Sequence, residues 1–320
     1  MYYIGIDLGG TIIKIGLVQS GRIVNSRTIV ADSKKGLGSR LEVITSEIDE
    51  LLAKVERNDI GGVFLAFPGI VDVRNKQVIS TNAKYDDAPS IDLQDWCSKH
   101  WNVPFAIDND ARAAMIGEWH FGAAKGYENV VMMTIGTGVG TGVLVEGRPL
   151  YGQHFRAGSL GGHFIINYKG RQCTCGNIGC VEAYASSYFL PVIISESHLV
   201  SEDFRKDKSN YNFKRIFELM ALGNADAEII AKECMDVWSA AIVNYIHAYD
   251  PQLVVLGGGV MKSKRQILPY IRNRVDTLAW CPNDKIKIDV SILGDNAALL
   301  ASEYYFNNVF YNDYGKVFAK

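Results

Sequence analysis

Three thiols crowd into eight residues of this chain, Cys173-Thr-Cys-Gly-Asn-Ile-Gly-Cys180, ten residues after His163. Three thiolates and one imidazole are the ligand set of a tetrahedral structural Zn²⁺ site. Gly176 and Gly179 allow the tight turns that would bring all three sulfurs to one point. Four protein ligands leave such an ion no open position, so its predicted role is structural. The opposing reading is buried free cysteines near an unrelated histidine. Glu182 stands two residues beyond Cys180, where the knuckle would fix its backbone. It is either a helix cap or a ligand for a neutral polar substrate.

A second group suits phosphate. Asp7-Leu-Gly-Gly-Thr11 lies between two apolar runs. Its glycines would let backbone N–H groups approach an anion, its threonine adds a hydroxyl, and Asp7 could hold a hydrated Mg²⁺. An ordinary type I′ or II′ hairpin also favours glycine there. Thr134-Ile-Gly-Thr-Gly-Val-Gly-Thr-Gly142 reads as a strand end followed by a glycine-rich turn over Gly136 to Gly142. Gly257-Gly-Gly259 follows the buried run Leu253 to Leu256, a usual place for a ligand in an open α/β sheet. Neither the dinucleotide spacing nor a Gly-x4-Gly-Lys-Ser/Thr loop is present. Three such loops, each directly after an apolar strand, favour a nucleotide phosphate site.

A third group is Asp108-Asn-Asp110, which closes the run Phe105 to Ile107 and opens a helix near Asp110. An acid in this place serves as an N-cap or as a general base that takes a proton from an attacking hydroxyl. Asn109 beside it could hydrogen-bond a polyol.

Residues of this kind need strand ends to hold them, and the patterning provides strands. Tyr2 to Asp7, Ile12 to Val18 and Ile23 to Val30 read as three strands with a turn at Ser20-Gly21. Leu41 to Val55 is a predicted helix, Val63 to Phe67 a short buried strand closed by Pro68-Gly69, and Phe105 to Asp108 another. A second cycle starts with a strand at Val130 to Ile135, a return strand at Val143 to Val145 and a turn at Glu146-Gly147. Gly10-Thr11 answers Gly140-Thr141, and Ser20-Gly21-Arg22 answers Glu146-Gly147-Arg148, which suggests two copies of one strand-turn-strand unit. Ala225 to Tyr249 and Lys264 to Leu278 are predicted helices, Ile286 to Ile292 a strand, and Ala297 to about Tyr305 a helix. Glu202 to Lys208, six charges in seven residues, reads as a solvated loop or helix end. The class is α/β throughout.

The chain has 320 residues, 48% of them apolar, with 33 basic against 35 acidic side chains and a formal charge of -2. That length allows one large or two medium domains. The charge balance argues against nucleic-acid binding on a broad basic surface. No apolar stretch makes a comfortable membrane span, and no secretory signal opens the chain, so the expected location is cytoplasmic. Six cysteines are too few for a disulfide scaffold. The aromatic tail, Tyr304 to Phe310 with Tyr311 and Tyr314, would pack on its own domain or on a partner.

Taken together, the motifs resemble the ROK family of bacterial sugar kinases and sugar-responsive repressors, within the actin/hexokinase-like ATPases. The resemblance rests on Asp7-x-Gly-Gly-Thr11, Pro68-Gly69, Asn109-Asp110, the Gly136 to Gly142 loop, the His163 to Glu182 knuckle, Gly257-Gly-Gly259 and Gly294-Asp295. It implies two ribonuclease-H-like α/β domains with an inter-domain cleft. The first would comprise 1–113 with about 299–320, and the second, carrying the knuckle, 114–298. It also implies ATP-dependent phosphorylation of a hexose or amino-hexose hydroxyl, in the manner of a glucokinase, with homodimerisation. By that likeness Asp110 is the catalytic base, while Asn82, Asn109, His163 and Glu182 contact the sugar. ATP with Mg²⁺ would engage Asp7, Gly9, Gly10, Thr11, Lys14, Thr137, Gly138, Gly258 and Gly259. His163, Cys173, Cys175 and Cys180 would hold Zn²⁺.

One departure stands out. The family carries Glu-x-Gly-His before the knuckle, and that Glu contacts sugar, whereas this chain reads Ala157-Gly-Ser-Leu-Gly-Gly-His163. A carboxylate is missing and one residue is added, so glucose specificity does not carry over. Arg112, where relatives often have a small or amide residue, is a second departure. The alternative function is a non-catalytic sugar-binding regulator. The family's repressors carry an N-terminal DNA-binding helix-turn-helix, for which a fold starting at residue 2 leaves no room. An actin-like or chaperone-type ATPase is a weaker third reading, disfavoured by the knuckle beside a polyol pocket.

Overall fold

The computed structural model describes residues 1–282 and 284–307. Of the aromatic tail, Phe310, Tyr311 and Tyr314 lie outside the described residues, as does the part of the expected first domain from 308 to 320. Tyr304 and Tyr305 are buried in their own unit. Contacts divide the chain into two compact units. The first holds Met1–Gly126, Pro149–Ala157 and the chain from Asp295 onward; the second holds Tyr127–Arg148 and Gly158–Gly294. A division between 113 and 114 would cut the helix Asp110–Phe121, which lies whole in the first unit.

The first unit is built on strands β1 (Tyr2–Leu8), β2 (Ile12–Gln19), β3 (Arg22–Val30), β4 (Ile60–Phe67) and β7 (Phe105–Asn109), in the order β3-β2-β1-β4-β7. A separate hairpin, β5 (Gly69–Asp72) and β6 (Gln77–Thr81), lies between β4 and β7 in sequence and has no forerunner in the patterning. β1 pairs with β2 antiparallel and with β4 parallel, and β4 pairs with β7 parallel. The helix Gly38–Leu52 buries Ile44, Ile48, Leu51 and Leu52, the face read from the 3.6-residue period, in the core of this unit.

In the second unit the strands are β8 (Val130–Ile135), β9 (Val139–Val145), β10 (Arg148–Pro149), β11 (Leu253–Gly257) and β12 (Lys287–Val290), in the order β10-β9-β8-β11-β12. The two sheets share one plan across their last four strands: an antiparallel pairing (β2 with β1, β9 with β8), then two parallel ones. Their tight turns match as well. Ser20-Gly21 has φ of 51° and 69°, and Glu146-Gly147 has 51° and 68°, the doubly left-handed pattern of a type I′ hairpin. The duplication read from the sequence is thus present in the backbone.

The glycine-rich turn is shorter than expected. Val139 to Gly142 belong to β9, with Thr134 opposite Gly140 and Met133 opposite Thr141, so only Gly136 to Gly138 turn. Val139, Thr141 and Val143 alternate with period two, and that signal outweighed the glycines between them. The helix Ala225–Tyr249 is capped by Asn224, whose side chain accepts from the Ala227 N–H. The charge-rich stretch forms a short helix, Glu202–Lys206, capped by Ser201. No helix among the described residues is long and apolar enough to cross a membrane.

Candidate active site and metal knuckle

In the first unit the carboxyl ends of β1, β4 and β7 stand in register: Asp7 faces Ala66, and Ala66 faces Asp108. This edge of a parallel sheet is where ligands bind in open α/β folds. Asp7 also faces Lys14 across β2. Burial, and then the nearby Asp110 carboxylate, push the Asp7 carboxyl up to about 7, with Lys14 opposing. Lys14 reaches Asp295, with Nζ 3.4 Å from Oδ2.

The loop from Gly9 to Thr11 is not a primed hairpin turn, because none of its residues has positive φ. It is braced from below. Tyr85, fully buried, donates its hydroxyl to the Gly9 carbonyl at 2.8 Å, and Ser33 Oγ donates to the Gly10 carbonyl at 3.0 Å. Asn82 begins the segment that carries Tyr85 back to this loop.

The helix cap is Asn109. Its Oδ1 accepts from the N–H groups of Ala111 and Arg112, each at 3.1 Å, while Nδ2 donates to Gly69 O at 3.1 Å and to Asp110 Oδ1 at 3.0 Å. A sugar hydroxyl would have to displace one of these partners. Asp110 Oδ1 accepts from the Ala111 N–H at 2.8 Å as well. Both of these bonds fall on Oδ1. Burial raises the Asp110 carboxyl above the ordinary range, and Lys84 opposes that rise.

Asp108 does other work. It is fully buried, with Arg112 Nη1 at 2.5 Å, Tyr151 hydroxyl at 2.9 Å, Tyr305 hydroxyl at 2.8 Å and the Asn109 N–H at 2.6 Å. Four donors enclose it, so it has no route to a substrate. Arg112 Nη2 donates in addition to the carbonyls of Phe155 and Ala157, which ties the Pro149–Ala157 segment into this unit.

In the second unit His163, Cys173, Cys175 and Cys180 present ligand atoms all within 4.8 Å of one another. Cys173 Sγ lies 3.7 Å from His163 Nδ1, and Cys175 Sγ lies 3.8 Å from Cys180 Sγ. Zn–S bonds of about 2.3 Å at tetrahedral angles place two sulfurs about 3.75 Å apart, and sulfur and imidazole nitrogen about 3.6 Å apart. The donor set and these two edges fit such an ion. With Nδ1 turned to the thiols, Nε2 is the ring atom that remains for a hydroxyl. All six cysteines are free, and Cys97 and Cys234 are buried away from this cluster.

The loop before His163 seats its extra residue on β9. A Cβ at Gly162 would stand 1.9 Å from the Val139 carbonyl oxygen, so only glycine fits. Thr141 clamps the same loop: its hydroxyl donates to Gly158 O at 2.8 Å and accepts from the Gly161 N–H at 2.9 Å. Thr141 is therefore committed to the loop and is no phosphate donor. Ser159 is buried, and no carboxylate occupies its place. Glu182 Oε2 accepts from the Val139 N–H at 2.9 Å, holding the turn that contains Thr137 and Gly138. The Gly136 and Thr137 carbonyls accept from the N–H groups of Ser187 and Tyr188. Gly258, at φ 87°, opens the helical turn Gly259–Ser263 and would bring a Cβ 2.3 Å from Ile135 O.

Patterning did not single out the Tyr85–Ser33 brace, the Thr141 clamp or the Asp108 cage, although a buried-type Asp-x-x-x-Arg pair on one helix face was a readable signal for the last. The chain matches the family model described as ROK family over residues 3–307. It is 29% identical to a glucokinase of Thermotoga maritima over 282 residues, covering 85% of this chain and 86% of that protein. It is also 29% identical to the xylose repressor of Bacillus spizizenii over 308 residues, covering 93% of this chain and 75% of the repressor. Among solved structures, a ROK family glucokinase from Streptomyces griseus in complex with glucose and AMPPNP superimposes with a TM-score of 0.82 at 24% identity, covering 95% and 99% of the two chains. The fold is that of the actin/hexokinase-like ATPases.

Proposed function

The chain belongs to the ROK family, and on that premise we propose that it is an ATP-dependent kinase of a hexose or amino-hexose. The observation that carries this reading is Asp110, a half-buried carboxylate at a sheet's ligand edge whose Oδ1 is held by the Asn109 amide and the Ala111 N–H. Phosphoryl transfer asks a protein mainly for positioning and charge neutralisation. Asp110 takes the proton of the sugar hydroxyl as its oxygen attacks the γ-phosphorus. Its raised carboxyl sits nearer neutral pH, where a general base is effective.

From the first unit, Asp7, Gly9, Gly10, Thr11 and Lys14 bind phosphate and the magnesium ion that travels with ATP. From the second, Thr137, Gly138, Gly258 and Gly259 offer backbone N–H groups and a hydroxyl. Bound Mg²⁺ would supply charge neutralisation on the phosphates. The four-ligand knuckle would hold Zn²⁺ and fix the His163 ring, leaving Nε2 and the Glu182 carboxylate of the second unit to bind sugar hydroxyls; in the first unit Asn82 and Asn109 are the candidate sugar contacts. Sugar binding would exchange the Val139 N–H on Glu182 for a hydroxyl. Relatives that include glucokinases support this reading.

A second reading, a sugar sensor without catalysis, is favoured by Ser159 and Leu160 where the family has its sugar-binding Glu and by the xylose repressors among the relatives. A coupled ADP-release screen over hexoses, N-acetylhexosamines and ketoses separates the two. The kinase reading expects turnover on at least one sugar, and Asp110→Asn lowering kcat by roughly 10²–10⁴-fold with sugar affinity largely kept. Tight sugar binding by calorimetry with no phosphorylation of any sugar would replace it with the sensor.

A further inference from the structure

Lys84 is held over the phosphate loop by a backbone bent out of its ordinary range. Its neighbours Ala83 and Tyr85 both adopt left-handed conformations, with φ of 54° and 56°, which are costly for residues with a Cβ. Strain of this kind persists where the surroundings over-determine it, and it concentrates at functional sites. Here the surroundings are explicit. The Tyr85 N–H donates to Ser33 O at 2.8 Å, the Tyr85 hydroxyl to Gly9 O at 2.8 Å, and Ser33 Oγ to Gly10 O at 3.0 Å. Three bonds therefore lock the strained segment to the Gly9–Gly10 loop. The outcome is that Lys84 Nζ lies 3.4 Å, and Cε 3.0 Å, from where a Cβ on Gly10 would stand. Lys84 is also the foremost charge acting on Asp110. Lys14, the other lysine here, acts instead on Asp7 and is paired with Asp295.

We propose that Lys84 is a catalytic residue for phosphoryl transfer: its ammonium contacts the γ-phosphate of ATP above the Gly9–Gly10 loop and neutralises charge on the transferring group. The proposal rests on the kinase reading. In the step, the sugar oxygen bonds to the γ-phosphorus, the bond to the β-phosphate oxygen breaks, the proton passes to Asp110, and the electron pair leaves with ADP. Lys84 makes and breaks no covalent bond. Preorganised charge of this kind is a large part of such catalysis.

The test titrates MgADP and the magnesium complex of a non-hydrolysable ATP analogue into the full chain, for wild type, Lys84→Met and Lys84→Arg, and measures sugar-dependent ADP release in parallel. Lys84→Met is expected to lose about tenfold in affinity for the analogue while binding ADP as before, and to lose about a hundredfold in kcat. Lys84→Arg recovers part of both. Unchanged ADP binding shows that the loop is folded. An analogue-to-ADP affinity ratio that does not move in Lys84→Met, or an equal loss for both nucleotides, overturns the proposal. If wild type binds both nucleotides yet phosphorylates no sugar, the kinase reading fails and the ratio still decides the Lys84 contact. A wild type that does not distinguish the analogue from ADP overturns the contact whatever the turnover.

Discussion

Replacing Arg112 by Met should destabilise the first unit by about 3 kcal/mol. Arg112 and Asp108 are both fully buried and 2.5 Å apart. Removing one member of such a pair costs about 3–5 kcal/mol, because the other charge is left in low dielectric. Two further losses add to this. The carbonyls of Phe155 and Ala157 lose a donor, and the guanidinium no longer stacks 4.5 Å from the Tyr151 ring centroid. Two terms offset them. Asp108 keeps the Tyr151 and Tyr305 hydroxyls and the Asn109 N–H, and the orphaned buried Nε of Arg112 disappears. The net sits at the lower end of that range, which corresponds to a fall of about 6–12 °C in the melting temperature of a unit this size. The double variant Arg112→Met/Asp108→Asn removes both charges and should recover most of the loss, since what remains is a neutral amide among three donors. Calorimetry on wild type, both single variants and the double variant measures this. A single Arg112→Met variant that loses under about 1 kcal/mol, or a double variant that loses the full sum of the singles, would refute the argument.

Two other outcomes follow from the site. Asp7 holds its proton up to about pH 7 in the folded protein against a usual 3.8, so between those values the folded state binds more protons than the unfolded chain. Stability should therefore fall as pH rises through that window, by at most about 4 kcal/mol from this group. Denaturant midpoints at several pH values should show a steeper fall for wild type than for Asp7→Asn, and identical slopes would count against it. Removing the metal, by a strong chelator or by Cys175→Ser, should release one ion per chain and weaken sugar binding through loss of the His163 brace. Elemental analysis finding no stoichiometric metal in pure protein would contradict this.

The features legible in the sequence are those made by neighbours in the chain. Cys173 to Cys180 carries its ligand spacing within one turn-rich stretch, and Ser20-Gly21 and Glu146-Gly147 carry their turn geometry in two residues each. The strands Tyr2–Leu8 and Val130–Ile135 are apolar runs, which only burial explains. What stayed hidden depends on partners far apart in sequence. Nothing local to Thr141 shows that its hydroxyl is shared between Gly158 and Gly161, seventeen and twenty residues on. The role of Tyr85 is invisible locally, since its partner at Gly9 lies in another strand connection. The helix opening near Asp110 is legible in the sequence, whereas the choice of Asn109 rather than a neighbouring acid as its cap depends on backbone geometry at the strand end. The hairpin Gly69–Asp72 and Gln77–Thr81 was missed because four- and five-residue strands carry too little period to register.

Tyr305, whose ring stacks 4.1 Å from that of Phe64 and whose hydroxyl completes the Asp108 cage, has a bearing on how the polypeptide is made. Everything in the second unit has left the ribosome once Gly294 emerges, whereas the first unit still lacks the helix Ala297–Asn307. The later half of the gene product is thus able to mature ahead of the earlier half. Until that last helix arrives, the β1–β4 sheet leaves Phe64 bare in the nascent chain, a surface for holdase chaperones. A premature stop just before Ala297 would accordingly give a protein with a sound second unit and an aggregation-prone first one.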